Sequence, residues 1–421
     1  MNMTKLVRGV SVALALTTGG ATAFAQGDIY SRLFEMRQMD SNKDGSALVE
    51  PAEKKSKITP AVIAFTVTLL ISGTVNTISF KSQSYFYNFK HGFLQSFLMF
   101  TGQFLNLIVF NIRLMASKST REEHFKELAL EAKEKNRNIQ VSKLLIGFPS
   151  FFDAIASSMQ NISLLLMPAS VNQLLCGGTI ITSCIVSKIM LGRAIHRHHL
   201  LGNAFALIGF TLVGLSSLLN EDATERYSFY GEVLGIVLVI FSLVIQGIQL
   251  NTEELIMIKN SVEPQRMVGM EGFLGLIWTF CWMVGLSFFT CPDIYMCDIG
   301  GYMEDPIIGL KEIFNNGGLF FWCAVVTVSV MFFNLSSMNL TKRVSCIYSA
   351  FWSATRTAVV WVVSLLVGLE TFNWKTSPIQ FVGFLFLVTG NLTYNEILEW
   401  KIWGLNKMLS KYNAEADGVK K

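Results

Sequence analysis

Residues 168–219 decide the fold. Pro168 is followed by the apolar run ASVNQLLCGGTIITSCIVSKIML (169–191), the basic connection GRAIHRHH (192–199) and a second apolar run, LLGNAFALIGFTLVGLSSLL (200–219). Each run is long enough to cross a bilayer as a helix, and the connection between them is polar. The stretch therefore predicts two membrane helices joined by a short basic loop.

The last third of the chain repeats this layout in residues 345–367 and 379–398. In both copies the second run carries two glycines seven residues apart, which places them on one helix face. These pairs are Gly202 with Gly209, and Gly383 with Gly390. Small residues let helices approach closely in lipid, and duplicated membrane segments are typical of carriers built from structural repeats. Chance spacing is the alternative interpretation.

The composition indicates a membrane protein. The chain has 421 residues, of which 51% are hydrophobic and 15% charged, and its mean hydropathy is +0.44. Soluble domains carry about a quarter charged residues. The net charge of +4 is spread out, and no basic stripe interleaved with aromatics is present, so nucleic acid is not an expected partner whereas lipid is.

Ten apolar runs are each about long enough to span ~30 Å of hydrocarbon. They lie at 58–80, 92–114, 144–166, 169–191, 200–219, 231–250, 269–289, 319–340, 345–367 and 379–398. The longest connection, 115–143, is rich in Glu and Lys at helical spacing and predicts a solvated helix. Lys and Arg concentrate in one alternating set of segments, so both ends of the body, including the polar tail 401–421, are predicted to be cytosolic.

The N-terminal residues have a different character. Residues 1–25 resemble a secretory leader, and 26–56 contain Asp40-Ser41-Asn42-Lys43-Asp44-Gly45, the opening of an EF-hand loop. Asp40, Asn42 and Asp44 occupy ligand positions one, three and five, but Pro51 stands where the loop needs a bidentate Glu. A weak or absent calcium site is expected, with calcium the one cofactor to consider.

The leader conflicts with the predicted orientation. A cleaved secretory signal would deliver the EF-hand-like segment to the lumen, whereas the positive-inside rule assigns it to the cytosol. Either the leader is not used as a signal, or residues 1–56 are foreign to the carrier body.

Several motifs resemble the F branch of the solute carrier 35 family, which are EamA-like carriers of the drug/metabolite transporter superfamily. The motifs are SGTVNTISFK (72–81), HGFLQ (91–95), Asp153, SVNQLLCG (170–177), GMEGF (269–273) and RTAVVW (356–361). The likeness covers about 57–398. It implies an all-α fold of ten transmembrane helices in two inverted five-helix repeats, 57–230 and 231–400, which work by alternating access around a central cavity. Cys176 stands where relatives usually carry a basic residue, which puts a nucleotide-sugar substrate in doubt.

Three ionisable residues within the apolar runs are candidates for binding a substrate, because charge inside a bilayer is costly. Arg356 lies near the middle of run 345–367, Asp153 lies within 144–166, and Glu271 opens 269–289. We expect Arg356 to neutralise an anionic part of the substrate or to pair with Asp153. The alternatives are a static ion pair and, for Glu271, a position at the aqueous end.

Neutral polar residues are further candidates. Gln173 lies beside a helix N-terminus that offers N–H groups to an anion, and Asn76, Asn339 and Tyr348 are predicted to line the cavity. Interhelical hydrogen bonding is the alternative for each. Glu253 and Glu254 are expected at a solvated helix end.

The sequence favours a carrier over an enzyme, because it contains no P-loop, no G-x-S-x-G and no H-E-x-x-H motif. We expect a secondary transporter of a small polar or anionic metabolite, nucleotide-sugar-transporter-like, in an intracellular membrane (Golgi, lysosome, related endomembrane or mitochondrion). A homodimer is a further expectation. A non-transporting scaffold that binds proteins and a calcium-modulated carrier are the alternatives.

Overall fold

The computed structural model describes the body of the chain as helices joined by short connections. The described residues are 59–89, 91–116, 118–134, 137–138, 143–166, 172, 175–192, 196–218, 229–288, 304–367, 372, 374–394 and 398. They form twelve α-helices: α1 (Pro60–Tyr87), α2 (Gly92–Ala116), α3 (Lys118–Glu134), α4 (Lys143–Leu166), α5 (Thr179–Met190), α6 (Arg197–Leu218), α7 (Phe229–Lys259), α8 (Pro264–Leu286), α9 (Pro306–Asn315), α10 (Gly317–Arg343), α11 (Cys346–Val367) and α12 (Ser377–Tyr394).

The all-helical membrane class predicted from the sequence is confirmed. Within the described residues, six helices are long and apolar enough to cross a membrane: α1, α2, α7, α8, α10 and α11. Helices α4, α6 and α12 coincide with the third, fifth and tenth predicted spans. The count of ten spans stays a prediction.

Helix α1 shows why this bundle requires lipid. Its outward side chains are apolar, and Ile63, Val67 and Ile71 are exposed. Its buried face carries hydroxyl, amide and glycine positions: Thr66, Ser72, Gly73, Thr74, Thr77, Ser79, Ser82 and Gln83. Many of these hydroxyls donate to the carbonyl four residues back in the same helix, so they are buried without cost in unpaired donors. A polar interior and an apolar exterior are expected of a bundle surrounded by hydrocarbon.

The helix pairs show a regular pattern. Helix α4 packs on α7 and α8, and α5 packs on α7. Each helix in the first five predicted spans has a counterpart five spans later. When every helix in these pairs is replaced by its counterpart, the pairs become α10 with α1 and α2, and α11 with α1, and these are also observed. The pairs α2 with α8 and α6 with α12 map onto themselves.

The repeated glycines meet where α6 crosses α12. A Cβ added at Gly209 would lie 2.6 Å from the backbone oxygen of Gly383, and one added at Gly390 would lie 2.7 Å from that of Gly202. The N-terminal glycine of α6 thus faces the C-terminal glycine of α12, so the two helices run antiparallel. The close approach expected from the glycine spacing is present, because no side chain separates the backbones.

Connections between helices also contact each other. Helix α3 falls within the region 115–143, where a helix was predicted, and its Glu131 lies 3.2 Å from Lys342 at the end of α10. At the opposite predicted side, His91 lies 3.3 Å from Glu304, just before α9. Helix α9, which was not predicted, begins after Asp305, whose carboxylate accepts from two backbone N–H groups. In both cases the connections in contact are predicted on the same side of the membrane.

Candidate functional site

Arg356 lies against α1 and α10. Its Nη1 donates to the carbonyl oxygen of Gly73 at 3.2 Å, and its guanidinium carbon lies 5.0 Å from the ring centre of Phe333. A Cβ at Gly73 would lie 2.5 Å from Arg356 Cδ, so the absent side chain of Gly73 makes room for the arginine. The Nε atom of Arg356 is buried and has no hydrogen-bond partner among the described residues. The guanidinium is therefore positioned but retains an unused donor.

Further unused polar atoms lie one turn from these residues. Asn76 follows Gly73 by three positions on α1, and its buried Oδ1 lacks a partner within the described part of the chain. Trp352 precedes Arg356 by four positions on α11, and its buried Nε1 likewise lacks one. Tyr348 belongs to the apolar cluster that Trp352 flanks, with ring centres 6.2 Å apart. Unsatisfied buried polar atoms are costly in a native protein, so this group is suited to a polar ligand.

The fourth predicted span, 169–191, is broken next to Arg356. Leu175 and Cys176 are helical, Gly177 and Gly178 form a turn, and α5 begins at Thr179. Cys176 is close enough to Arg356 for an electrostatic interaction. Broken helices mark substrate sites in carriers, because the ends of their backbones face the substrate.

Asp153 is not the partner of Arg356, so the pairing expected from the sequence is not formed. Its Oδ2 accepts from Gln103 Nε2 at 3.2 Å, and its Oδ1 accepts from Ser157 Oγ at 3.0 Å. These donors lie on α2 and on the next turn of α4. One hydrogen bond across a helix interface and one within α4 thus take the place of the ion pair, which was one of the two roles expected for Arg356.

The glutamates are buried, which excludes the alternative position of Glu271 at an aqueous end and corrects the expectation for Glu253 and Glu254. Glu271 is 4% exposed and lies within α8 rather than at an aqueous end. Glu253 and Glu254 are 4% and 3% exposed rather than solvated. Glu254 Oε2 accepts from the N–H of Cys346, the first residue of α11, so its carboxyl group faces the positive end of that helix.

Asn339 lies apart from Arg356. Its Nδ2 donates to the carbonyl of Leu335 in its own helix, and the residue lines a cavity of about 790 Å³. The cavity lies among α1, α2, α3, α8 and α10, and its charged lining residues are Arg113, His124, Glu127, Glu131, Glu263, Lys342 and Arg343. Of the described candidates, Asn339 thus lines this cavity, Asn76 and Tyr348 lie in the Arg356 region, and Asp153 and Glu271 lie in neither.

Gln173 and the calcium-loop candidates Asp40, Asn42 and Asp44 lie outside the described residues, as does the leader. Within the described residues, no group of three His, Cys, Asp or Glu side chains is arranged to hold a metal ion. Sequence reasoning overlooked Gln103, Gln249 and Phe333. The positions of the glutamines inside apolar runs were the available signal.

The comparisons with known proteins agree with the predicted resemblance. The chain is 27% identical over 337 residues to "Solute carrier family 35 member F6" of Rattus norvegicus, covering 78% of this chain and 86% of that protein. It is 26% identical over 337 residues to the Homo sapiens protein of the same name, with the same coverage. An uncharacterised protein of Schizosaccharomyces pombe is 26% identical over 261 residues, covering 62% and 76% of the two chains. No protein-family model matches the chain.

A solved structure described as "Crystal structure of protein" has a TM-score of 0.50 and 14% identity, and covers 80% of this chain and 96% of that one. At that identity the likeness concerns the fold alone.

Proposed function

We propose that this chain, a relative of the F branch of the solute carrier 35 family, is a secondary carrier of a small polar or anionic metabolite. The rat and human relatives named above are solute carriers by name, and six of its described helices are suited to crossing a membrane. The carrier resides in an intracellular membrane, with both ends of its body in the cytosol. Ten helices in two inverted repeats, 57–230 and 231–400, form it.

The observation that carries the proposal is the Arg356 group. A guanidinium within the apolar body of α11 retains an unused Nε donor, and Asn76 and Trp352 add an unused acceptor and donor. An anionic group of the substrate accepts charge-assisted hydrogen bonds from the guanidinium, whose planar fork suits carboxylate or phosphate. The cation–π contact with Phe333 holds the arginine in place until the substrate arrives.

The packing supports alternating access. The interhelix pairs named above map onto one another when the two halves are exchanged, and the self-paired α6 and α12 run antiparallel. This is the pattern expected of inverted repeats related by an axis in the membrane plane. Rocking of one repeat against the other would expose Arg356 and the broken start of α5 to each side in turn.

Counterflow in proteoliposomes tests the proposal. A panel of nucleotide sugars, nucleotides and organic anions is offered to the wild type, to Arg356→Ala and to Arg266→Ala. Arg266 is exposed on α8, which makes it a matched control. We expect uptake of one substrate class that falls at least tenfold in Arg356→Ala, since one charge-assisted hydrogen bond contributes about 1.5–3 kcal/mol, and that is unchanged in Arg266→Ala.

If folded protein moves nothing on the panel, the carrier proposal fails and a scaffold that binds proteins becomes the better interpretation. If uptake occurs but survives Arg356→Ala, transport stands and the assigned site is wrong.

A further inference from the structure

Three buried carboxylates lie on α4 and on the two helices that pack against it, α7 and α8. Asp153 on α4, Glu253 on α7 and Glu271 on α8 are 8%, 4% and 4% exposed. Gln103, which bonds to Asp153, lies against Gly272, the residue after Glu271. Ser150 on α4 donates to the backbone oxygen of Glu271 at 2.8 Å, which holds α4 and α8 together at this level. We call these three residues the carboxylate cluster.

Two glutamines bond to the cluster and leave acceptors unused. Gln103 Nε2 lies 3.2 Å from Asp153 Oδ2, and Gln249 Nε2 lies 2.7 Å from Glu253 Oε1. Both glutamines are more than nine-tenths buried, and the Oε1 atom of each has no hydrogen-bond partner among the described residues. The buried Oε1 of Glu271 also lacks one there. The group thus has an excess of acceptors and lacks donors.

Cations on the surrounding helices contact other groups. Arg113 on α2 bonds to Glu263, Lys342 on α10 bonds to Glu131, and Arg356 on α11 bonds to Gly73. The other charged side chains described on helices packed against α4, α7 or α8, or next to their ends, are Lys188, Glu254, Lys259, Arg266 and Arg343. Of these, Lys188, Arg266 and Arg343 are exposed, Lys259 is half-buried at the end of α7, and Glu254 faces the start of α11.

Ionising all three buried carboxylates in this apolar region of the bundle is unfavourable. Like charges and burial both disfavour the ionised form, and an uncompensated charge in a bilayer is costly. A proton removes one charge and at the same moment supplies an O–H donor to an unused acceptor, and it needs no cavity. A metal ion would require several ligands at fixed distances, and the described residues provide no such group.

We propose that the carboxylate cluster is a proton-binding site and that protons are the coupling ion of the carrier. The coupling role rests on the proposed transport function, whereas proton binding at the cluster does not. Because α4 and α8 belong to opposite repeats, rocking changes the spacing of the carboxylates and hence their ability to share a proton.

Infrared difference spectroscopy of the full chain in lipid nanodiscs tests proton binding without any substrate. The carbonyl stretch of a protonated carboxyl group is recorded near neutral pH in sodium-free buffer for the wild type, Asp153→Asn, Glu253→Gln and Glu271→Gln. Glu254→Gln is the matched control, since Glu254 is the same residue type, adjacent on α7 and equally buried. We expect a protonated-carboxyl band that at least halves in Glu253→Gln or Glu271→Gln and is unchanged in Glu254→Gln.

The wild-type spectrum alone can overturn the proposal, so it does not depend on every variant folding. If no protonated-carboxyl band is found at neutral pH, or if the band disappears equally in Glu254→Gln, the cluster is not the proton site. A sodium-dependent rise in the thermal unfolding temperature of the wild type, abolished in Glu271→Gln, would instead assign the cluster to a metal cation. If the band follows the expected pattern but the protein transports nothing, proton binding at the cluster stands and only the coupling of protons to transport is refuted.

Discussion

At the scale of single residues, neighbours in the sequence have unlike roles. Glu253 and Glu254 are adjacent and equally buried, yet one belongs to the carboxylate cluster and the other caps α11. Successive helical residues point about 100° apart, so adjacent side chains face different helices. Gly73 has no side chain, and Arg356 occupies the space that a side chain at this position would need.

Gly73→Ala tests that dependence. The added methyl group would lie 2.5 Å from Arg356 Cδ and 2.8 Å from its Nη1, so the arginine has to leave its position over Phe333. We expect counterflow to fall roughly tenfold, because such overpacking typically costs about 1–3 kcal/mol. Gly285→Ala is the control, since a Cβ there meets open space. Wild-type uptake by Gly73→Ala would show that the position of Arg356 is unimportant.

At the scale of helices, backbone contact rather than large side chains joins α6 to α12. Gly202 and Gly209 meet Gly390 and Gly383, so carbonyl groups of one helix lie directly against the other. In lipid no hydrophobic driving force holds helices together, and close packing takes its place. A methyl group at these positions cannot be accommodated by a rotamer change, since the atom it meets belongs to the backbone.

Gly209→Ala and Gly390→Ala should therefore destabilise the protein. Alanine in a helix is intrinsically more favourable than glycine by about 1 kcal/mol. Helix propensity alone would therefore stabilise both variants, so a loss of stability would report the close contact between the helices. We expect a lower thermal unfolding temperature in detergent for both variants. Gly285→Ala and Gly317→Ala, whose added Cβ atoms meet nothing within 4 Å, should leave it unchanged or raise it. Equal stability of all four variants would contradict the role of the α6–α12 contact.

At the scale of the whole molecule, the connections between helices form two sets, which are predicted to lie on opposite sides of the membrane. On one side α3 meets the end of α10, and Asn138 pairs with Asn260 after α7. On the other, His91 before α2 lies by Glu304 and Glu312 around α9. The distribution of Lys and Arg assigns the first set to the cytosol. The contacts agree with that division, because none of these described pairs joins the two sides.

Cysteine labelling tests the topology. Lys126 on α3 and Lys311 on α9 are both exposed, and each is replaced by Cys in a chain whose native cysteines are replaced by serine. We expect a membrane-impermeant maleimide to label Lys126→Cys in intact organelles and Lys311→Cys only after the membrane is permeabilised. Labelling of both from the same side would refute the predicted arrangement of the spans.

The sequence by itself determined the membrane class, the positions of most helices, the glycine faces of α6 and α12, and the place of Arg356 within an apolar helix. These properties depend on hydropathy and on periodicity along the chain, which are local. Only the tertiary structure decided that Asp153 bonds to Gln103 and Ser157 instead of Arg356, and that Glu253 and Glu254 are buried. It also decided that α9 forms and that span 169–191 is broken at Gly177. The reason is that a partner across a helix interface is set by how distant segments pack, and a periodic pattern identifies a buried face without identifying what it faces.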